Sequence, residues 1–108
     1  MPNYLIRFSY ESPVIKTMIQ HPDINTAAEA AAMVASLGGK LLGYWYAFGD
    51  FDGIVLIEAP ENSIAAAVGM AIRSTGHVTK LETTVLLSME EAKASLHLAA
   101  TANHLPPQ

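Results

Sequence analysis

Two apolar stretches, Leu41 to Phe48 and Ile54 to Ala59, flank the run Gly49-Asp50-Phe51-Asp52-Gly53, and no other feature limits the fold as much. The stretches predict two buried strands, and the run between them predicts a tight acidic hairpin. Glycine reaches positive φ at little steric cost, and aspartate bonds neighbouring backbone amides. Neither face of the first stretch is polar: Leu42, Tyr44, Tyr46 and Phe48 alternate with Leu41, Gly43, Trp45 and Ala47. Both faces of that strand therefore need cover.

The rest of the chain supplies it. Tyr4, Ile6, Phe8 and Tyr10 alternate with Leu5, Arg7 and Ser9, the period of a strand over Tyr4 to Tyr10. Ser12-Pro13 then offers a cap and a first-turn proline for a short helix carrying Val14, Ile15, Met18 and Ile19. Pro22 ends or kinks it, and a second helical stretch runs from Thr26 to Leu37 before Gly38-Gly39. After Pro60, Asn62 or Ser63 is placed to cap a helix with Ile64, Val68, Ala71 and Ile72 on its core stripe, stopped at Gly76. Val78 to Leu87 reads as a Thr-rich strand, and Ser88-Met89-Glu90-Glu91 as the capping box of a last helix reaching about Ala102.

The order is β-α-β-β-α-β with an extra C-terminal helix, an α+β ferredoxin-like arrangement in which a four-stranded antiparallel sheet carries its crossover helices on one face. A single domain over residues 1–108 is expected, with 103–108 a frayed tail. Helices on one face leave the other face of the sheet apolar, and a twofold-related second copy is the simplest cover, giving a homodimer, or a multiple of dimers, that encloses a β-barrel. Composition agrees: 51% of the residues are hydrophobic and only 15% charged, against about 25% charged in ordinary soluble domains.

Several classes fall away. The six Lys and Arg residues are scattered and the net charge is −4, so no nucleic-acid footprint exists. The chain has no cysteine, which removes disulfides and thiolate chemistry. No apolar run approaches the roughly 18 residues of a membrane span, and the first residues lack the pattern of a signal peptide. A cytoplasmic protein outside the membrane is expected. The glycines lack phosphate-loop or dinucleotide spacing, and the histidines form no HExxH pattern, so no metal and no cofactor is expected.

The segments Leu37-Gly38-Gly39-Lys40, Ala47-Phe48-Gly49-Asp50-Phe51-Asp52, Ala59-Pro60-Glu61-Asn62, Ala65-Ala66-Ala67, Gly76 and Leu86-Leu87-Ser88-Met89-Glu90-Glu91 together resemble the GYD-domain family of small proteins. The resemblance covers most of the chain. Gly49 and Asp52 match the signature, while Phe51 stands where the family name has tyrosine, so no role of a phenol hydroxyl carries over at that position. The resemblance implies a dimeric α/β barrel and no particular activity. Barrel relatives include monooxygenases and isomerases as well as ligand-sensing and structural modules.

Candidate chemistry is sparse. Asp50 and Asp52, two apart, are able to share a strand face and raise one another's pKa or bind a cation, but turn chemistry explains them more simply. His77, after Gly76 and before the last strand, is the one histidine at a strand mouth; it is a candidate acid or base, although a histidine at a helix C-terminus is also favoured by the dipole. His21 and His104 read as solvent residues in loop and tail, and His97 as a partly exposed helix residue. Tyr44, Trp45 and Tyr46 are the densest aromatic cluster and, with Tyr4, Phe8 and Tyr10 and with Arg7 as a polar member, the candidate lining of a site for a small apolar ligand. Arg7 and Glu58, on neighbouring strands, are a candidate pair. Two readings remain: a homo-oligomeric module binding a small apolar molecule or a protein partner, and a cofactor-independent monooxygenase or isomerase using His77 or Asp52.

Overall fold

A computed structural model describes residues 1–103. The expected tail from His104 onward lies outside the described residues. The elements run β1 (Asn3–Tyr10), α1 (Ser12–Gln20), α2 (Thr26–Ser36), β2 (Lys40–Tyr46), β3 (Gly53–Glu58), α3 (Asn62–Ser74), β4 (Val78–Leu86) and α4 (Met89–Ala99). The strands form one antiparallel sheet in the order β2-β3-β1-β4. This is the expected α+β ferredoxin-like architecture, with its first crossover split into α1 and α2.

Strict alternation in the two central strands decides which face meets the helices. In β1 the side chains of Tyr4, Ile6 and Phe8 are buried while Leu5, Arg7 and Ser9 are half-exposed, and in β3 Gly53, Val55 and Ile57 are buried while Ile54, Leu56 and Glu58 are half-exposed. The buried set packs with Ala59 against Val34 of α2 and Ala65 and Val68 of α3. Helix α2 lies over β2 and α3 over β4. Each fully buried Ile, Val or Phe side chain contributes about 1.5–3 kcal/mol, so this one layer supplies most of the fold's apolar stabilisation.

Local details depart from the sequence reading at four places. Strand β2 stops at Tyr46 rather than Phe48, and a bulge between Leu41 and Gly43 breaks its period. Leu41 consequently faces Ile57 and joins Tyr44 on the helix side, and Leu42 is exposed. Asn62 does not cap α3; Glu61 holds the cap position without a side-chain bond, because the Asn62 carboxamide oxygen accepts the buried Tyr4 hydroxyl at 2.7 Å. Likewise Glu11, not Ser12, sits at the cap of α1. Arg7 does not pair with Glu58: the β1–β3 register puts Arg7 opposite Ile54 and Asn3 opposite Glu58, and Arg7 instead meets Glu82 of β4 at 3.2 Å. The capping box of α4 forms as expected, with Ser88 and Glu91 bonding each other's backbone amides.

The open side of the sheet shows Leu5, Arg7, Ile54, Leu56 and Trp45, the last 52% exposed. Helix α4 buries none of its residues and leaves Met89, Leu96 and Leu98 exposed. The described chain measures 59 × 33 × 22 Å.

The turn before β3 is tied down by its backbone. Asp52 N–H donates to the Phe8 carbonyl at 2.9 Å and Ala47 N–H to the Asp52 carbonyl at 2.8 Å, while the Ser9 hydroxyl donates to the Asp50 carbonyl at 2.7 Å. Gly49 has φ +143°, where a β-branched residue is strained by about 1–3 kcal/mol. Gly49→Val is therefore expected to lower the melting temperature by at least several degrees, at about 4–8 °C per kcal/mol for a domain of this size. Asp50→Ala is expected to leave it nearly unchanged, since only the Asp50 backbone is engaged. Equal melts for wild type and Gly49→Val would show that the positive φ is not needed.

Candidate functional site

Where the sheet's helix-facing side runs out beyond β1, the aromatic side chains are no longer fully covered. Phe8 meets Tyr10 edge-on at 5.4 Å between ring centres and Tyr44 at 6.1 Å, and Tyr44 meets Tyr46 at 5.6 Å. Between these rings and helices α2 and α3 lies a cleft of about 230 Å³. Phe8 and Val55 form part of its floor, Ala30 and Met33 of α2 one wall, Ala71 and Ile72 of α3 the other, and Tyr10, Tyr44 and His77 complete it. Small residues on both helices, Ala30 and Ala71, leave the space that larger ones would fill.

The polar centre of the cleft is a pair of phenols. The hydroxyls of Tyr10 and Tyr44 are hydrogen-bonded to each other across β1 and β2. Burial pushes the Tyr44 pKa well above the ordinary tyrosine value, and the bond to Tyr10 and the neighbouring Tyr10 and Tyr46 add to the rise. Burial raises that of Tyr10 as well, with the bond to Tyr44 opposing and Tyr46 and Asp52 adding. Both phenols stay protonated over the physiological range, so the pair acts through hydrogen bonds, not as a base.

The expected site residues separate. Tyr44 lines the cleft, but Tyr46, on the same side, reaches instead to Thr26 at the start of α2, donating to its Oγ1 at 3.1 Å. Trp45 points to the open face, its indole lying over Gly43, where no Cβ would fit. The three neighbours in sequence thus do not form one pocket, since consecutive strand residues alternate faces. Arg7 is also on the open face, beneath the ring of Phe51, which stands 4.5 Å from its guanidinium and 4.6 Å from the Lys80 ammonium. Among the described residues its Nε has no hydrogen-bond partner.

His77 lies on the rim of the cleft, exposed; its carbonyl accepts from Glu11 N–H at 2.8 Å and its amide donates to Thr75 Oγ1 at 3.1 Å. Asp52 is engaged structurally: its Oδ2 accepts the Tyr10 amide at 2.9 Å, which holds the end of β1 just past the shift in its pairing with β4. Asp50, Phe51 and Gly49 belong to the turn. No three His, Asp or Glu residues among those described are grouped to hold a metal ion, and no described helix is long and apolar enough to cross a membrane.

Sequence reasoning placed Tyr10 only among the aromatic candidates for lining a pocket and missed its hydroxyl bond to Tyr44. Its signal was its place fourth in the alternation Tyr4, Ile6, Phe8, Tyr10, which puts a phenol on the core face where the strand leaves helix cover.

A sequence model described as the GYD domain matches residues 4–96. No protein of curated function matches the sequence. Two solved structures are similar in fold: FFRP-DM1, with a TM-score of 0.51 and 13% identity over 81% of this chain and 100% of that one, and MtbAldR, with a TM-score of 0.51 and 10% identity over 81% of this chain and 52% of that one. The chain thus spans about half the length of MtbAldR. At these identities the likeness is one of fold.

The raised phenol pKa values set a sign for alkaline stability. A group that holds its proton more tightly folded than unfolded stabilises the fold fully below its unfolded value, about pH 10 for tyrosine, and loses that contribution as pH rises toward the folded value. Wild type is therefore expected to lose stability above about pH 10, and Tyr44→Phe to lose less over the same range, measured by chemical denaturation at each pH. Identical pH slopes for the two proteins would refute the assignment.

Proposed function

The chain belongs to the GYD-domain family, and we propose that it is a homo-oligomeric module that takes a small apolar molecule into the cleft between its sheet and helices α2 and α3. The observation that carries this reading is the cleft itself: about 230 Å³ of mostly apolar wall with a hydrogen-bonded phenol pair set into it. Apolar cavities of about 150 Å³ already admit benzene, so the space suits one ring and a substituent. A few placed polar groups in an apolar wall are what small-molecule sites use for orientation.

Self-association follows from the other face. Leu5, Ile54, Leu56 and Trp45 present a contiguous apolar patch flanked by Arg7, Lys80 and Glu82, and such patches on small domains mark interfaces. A second copy stacking its own open face there by twofold symmetry closes the barrel, and the helix-side cleft stays accessible in that dimer.

The alternative, a cofactor-independent monooxygenase or isomerase, draws on one observation, the place of His77 on the cleft rim. Against it, Asp52 is held by a backbone amide and the phenols are held protonated, so neither Asp52 nor the phenol pair serves His77 as an acid or base partner.

Light scattering is expected to give a multiple of 11.5 kDa, and Trp45→Asp to shift it toward the monomer with the circular dichroism of wild type. A wild-type monomer at micromolar concentration would overturn self-association. Ala71→Phe is expected to abolish uptake of a fluorescent apolar probe while leaving oligomeric state unchanged, and His77→Ala to leave uptake intact. Undiminished uptake in Ala71→Phe would place the probe elsewhere; loss of turnover of an identified substrate on His77→Ala, with the melt unchanged, would favour the enzyme.

A further inference from the structure

Polarity inside the cleft is confined to a few atoms, and they discriminate between kinds of apolar molecule. The mutual bond of Tyr10 and Tyr44 consumes one of the two hydroxyl protons. Among the described residues no further acceptor takes the other proton, so one O–H of the pair is left to donate to whatever occupies the cleft. A phenol is also an acceptor, but the pair's proton supply is the scarcer demand on a ligand, because a half-buried donor without a partner is costly.

Charge narrows the class further. Among the described residues, Glu29, on the first turn of α2, is the one carboxylate on the rim, and no Lys or Arg lines the cleft. The protein as a whole carries a net charge of −4. An anionic ligand would therefore enter a low-dielectric space with no Lys or Arg to receive it and a carboxylate at its mouth. Size sets the scale, since about 230 Å³ between Ala30 and Ala71 compares with the about 150 Å³ that admits benzene and so suits one ring with a substituent.

We propose that the cleft binds a small, uncharged, single-ring molecule bearing one oxygen acceptor, whose ring lies between the Ala30 and Ala71 walls over Phe8 and whose oxygen receives the free hydroxyl of the Tyr10–Tyr44 pair. This deepens the small-molecule reading above and rests on it. The phenols' resistance to ionisation matters here as well: kept protonated, the pair remains a donor throughout the neutral range. Tyr10 and Tyr44 are then specificity-determining residues, and Phe8, Ala30 and Ala71 shape the slot.

Three probes of similar ring size separate the terms: acetophenone, with a neutral acceptor; toluene, with none; and benzoate, an anion. Binding is read from the NMR shifts of Ala30, Met33 and Ile72 methyl groups on the wild-type protein. Acetophenone is expected to bind about tenfold more tightly than toluene, the size of one well-placed hydrogen bond with its unmet-donor penalty, and benzoate more weakly than either. In Tyr10→Phe/Tyr44→Phe, which keeps both rings, the advantage of acetophenone over toluene is expected to vanish; if that variant fails to melt cooperatively, the order of the three probes on the wild-type protein carries the test. Toluene binding as well as acetophenone in wild type, benzoate binding best, or an acetophenone advantage that survives loss of the hydroxyls would each overturn the ligand class while leaving a binding cleft in place. No shift at the cleft methyls with any probe would overturn the small-molecule reading itself.

Discussion

The ring of Phe8 lying over Gly53 is the contact on which the arrangement of this protein turns. A Cβ at position 53 would come within 2.5 Å of that ring, so the pairing of Phe8 with Gly53 in the β1–β3 ladder is set by shape as well as by hydrogen bonds. From there the Phe8 carbonyl receives the Asp52 amide, Asp52 receives the Tyr10 amide, and the Phe8 ring meets both tyrosines edge-on. The hairpin, the end of β1 and the phenol pair are thus one connected unit. A one-residue slip of β1 against β3 would send Tyr4, Ile6, Phe8 and Tyr10 to the open face together.

That coupling explains what was legible in the sequence and what was not. Period-two alternation in β1 and β3 is strict, so their core faces could be read directly; the capping box of α4 and the glycine stop of α3 are local signals that local geometry satisfied. Strand β2 is apolar on both faces, and nothing in its composition distinguishes a regular strand from one with a bulge at Leu41 to Gly43. The result is that Leu41 replaces Leu42 in the core. Asn62 looked like a cap because asparagine caps helices, but a buried Tyr4 hydroxyl, invisible to local reading, claims its side chain.

The candidate site was legible only in part for the same reason. Tyr44, Trp45 and Tyr46 drew attention as a run, whereas a strand distributes a run between two faces and only Tyr44 reaches the cleft. Its partner Tyr10 lies 34 residues away in sequence, and the two meet only because β3 separates their strands at a spacing the long side chains can bridge. Arg7 chose Glu82 over Glu58 by register, a quantity that neighbouring strands alone do not specify. That surface pair is worth about 0.2–1 kcal/mol, too little to have fixed the register itself.

The two faces of the sheet therefore meet different physical demands. On the helix side, the polar centre is a phenol pair held protonated, with Glu29 and His77 at the rim. Across the sheet, Arg7 and Lys80 flank Phe51 at 4.5 and 4.6 Å, so cations sit against an aromatic ring within an apolar field. A phenol in place of Phe51 would add a hydroxyl to a ring that two cations already face. With phenylalanine the cluster keeps only the ring's attraction, and the face as a whole is more apolar, which strengthens the demand for cover by another apolar surface. The cleft and the open face are separated by the full thickness of the sheet, and β1 contributes alternate residues to both: Phe8 and Tyr10 to one, Arg7 to the other. Any occupant that shifts β1 on one side must displace side chains on the other, so the central strand is the physical link through which ligand binding and self-association would influence each other.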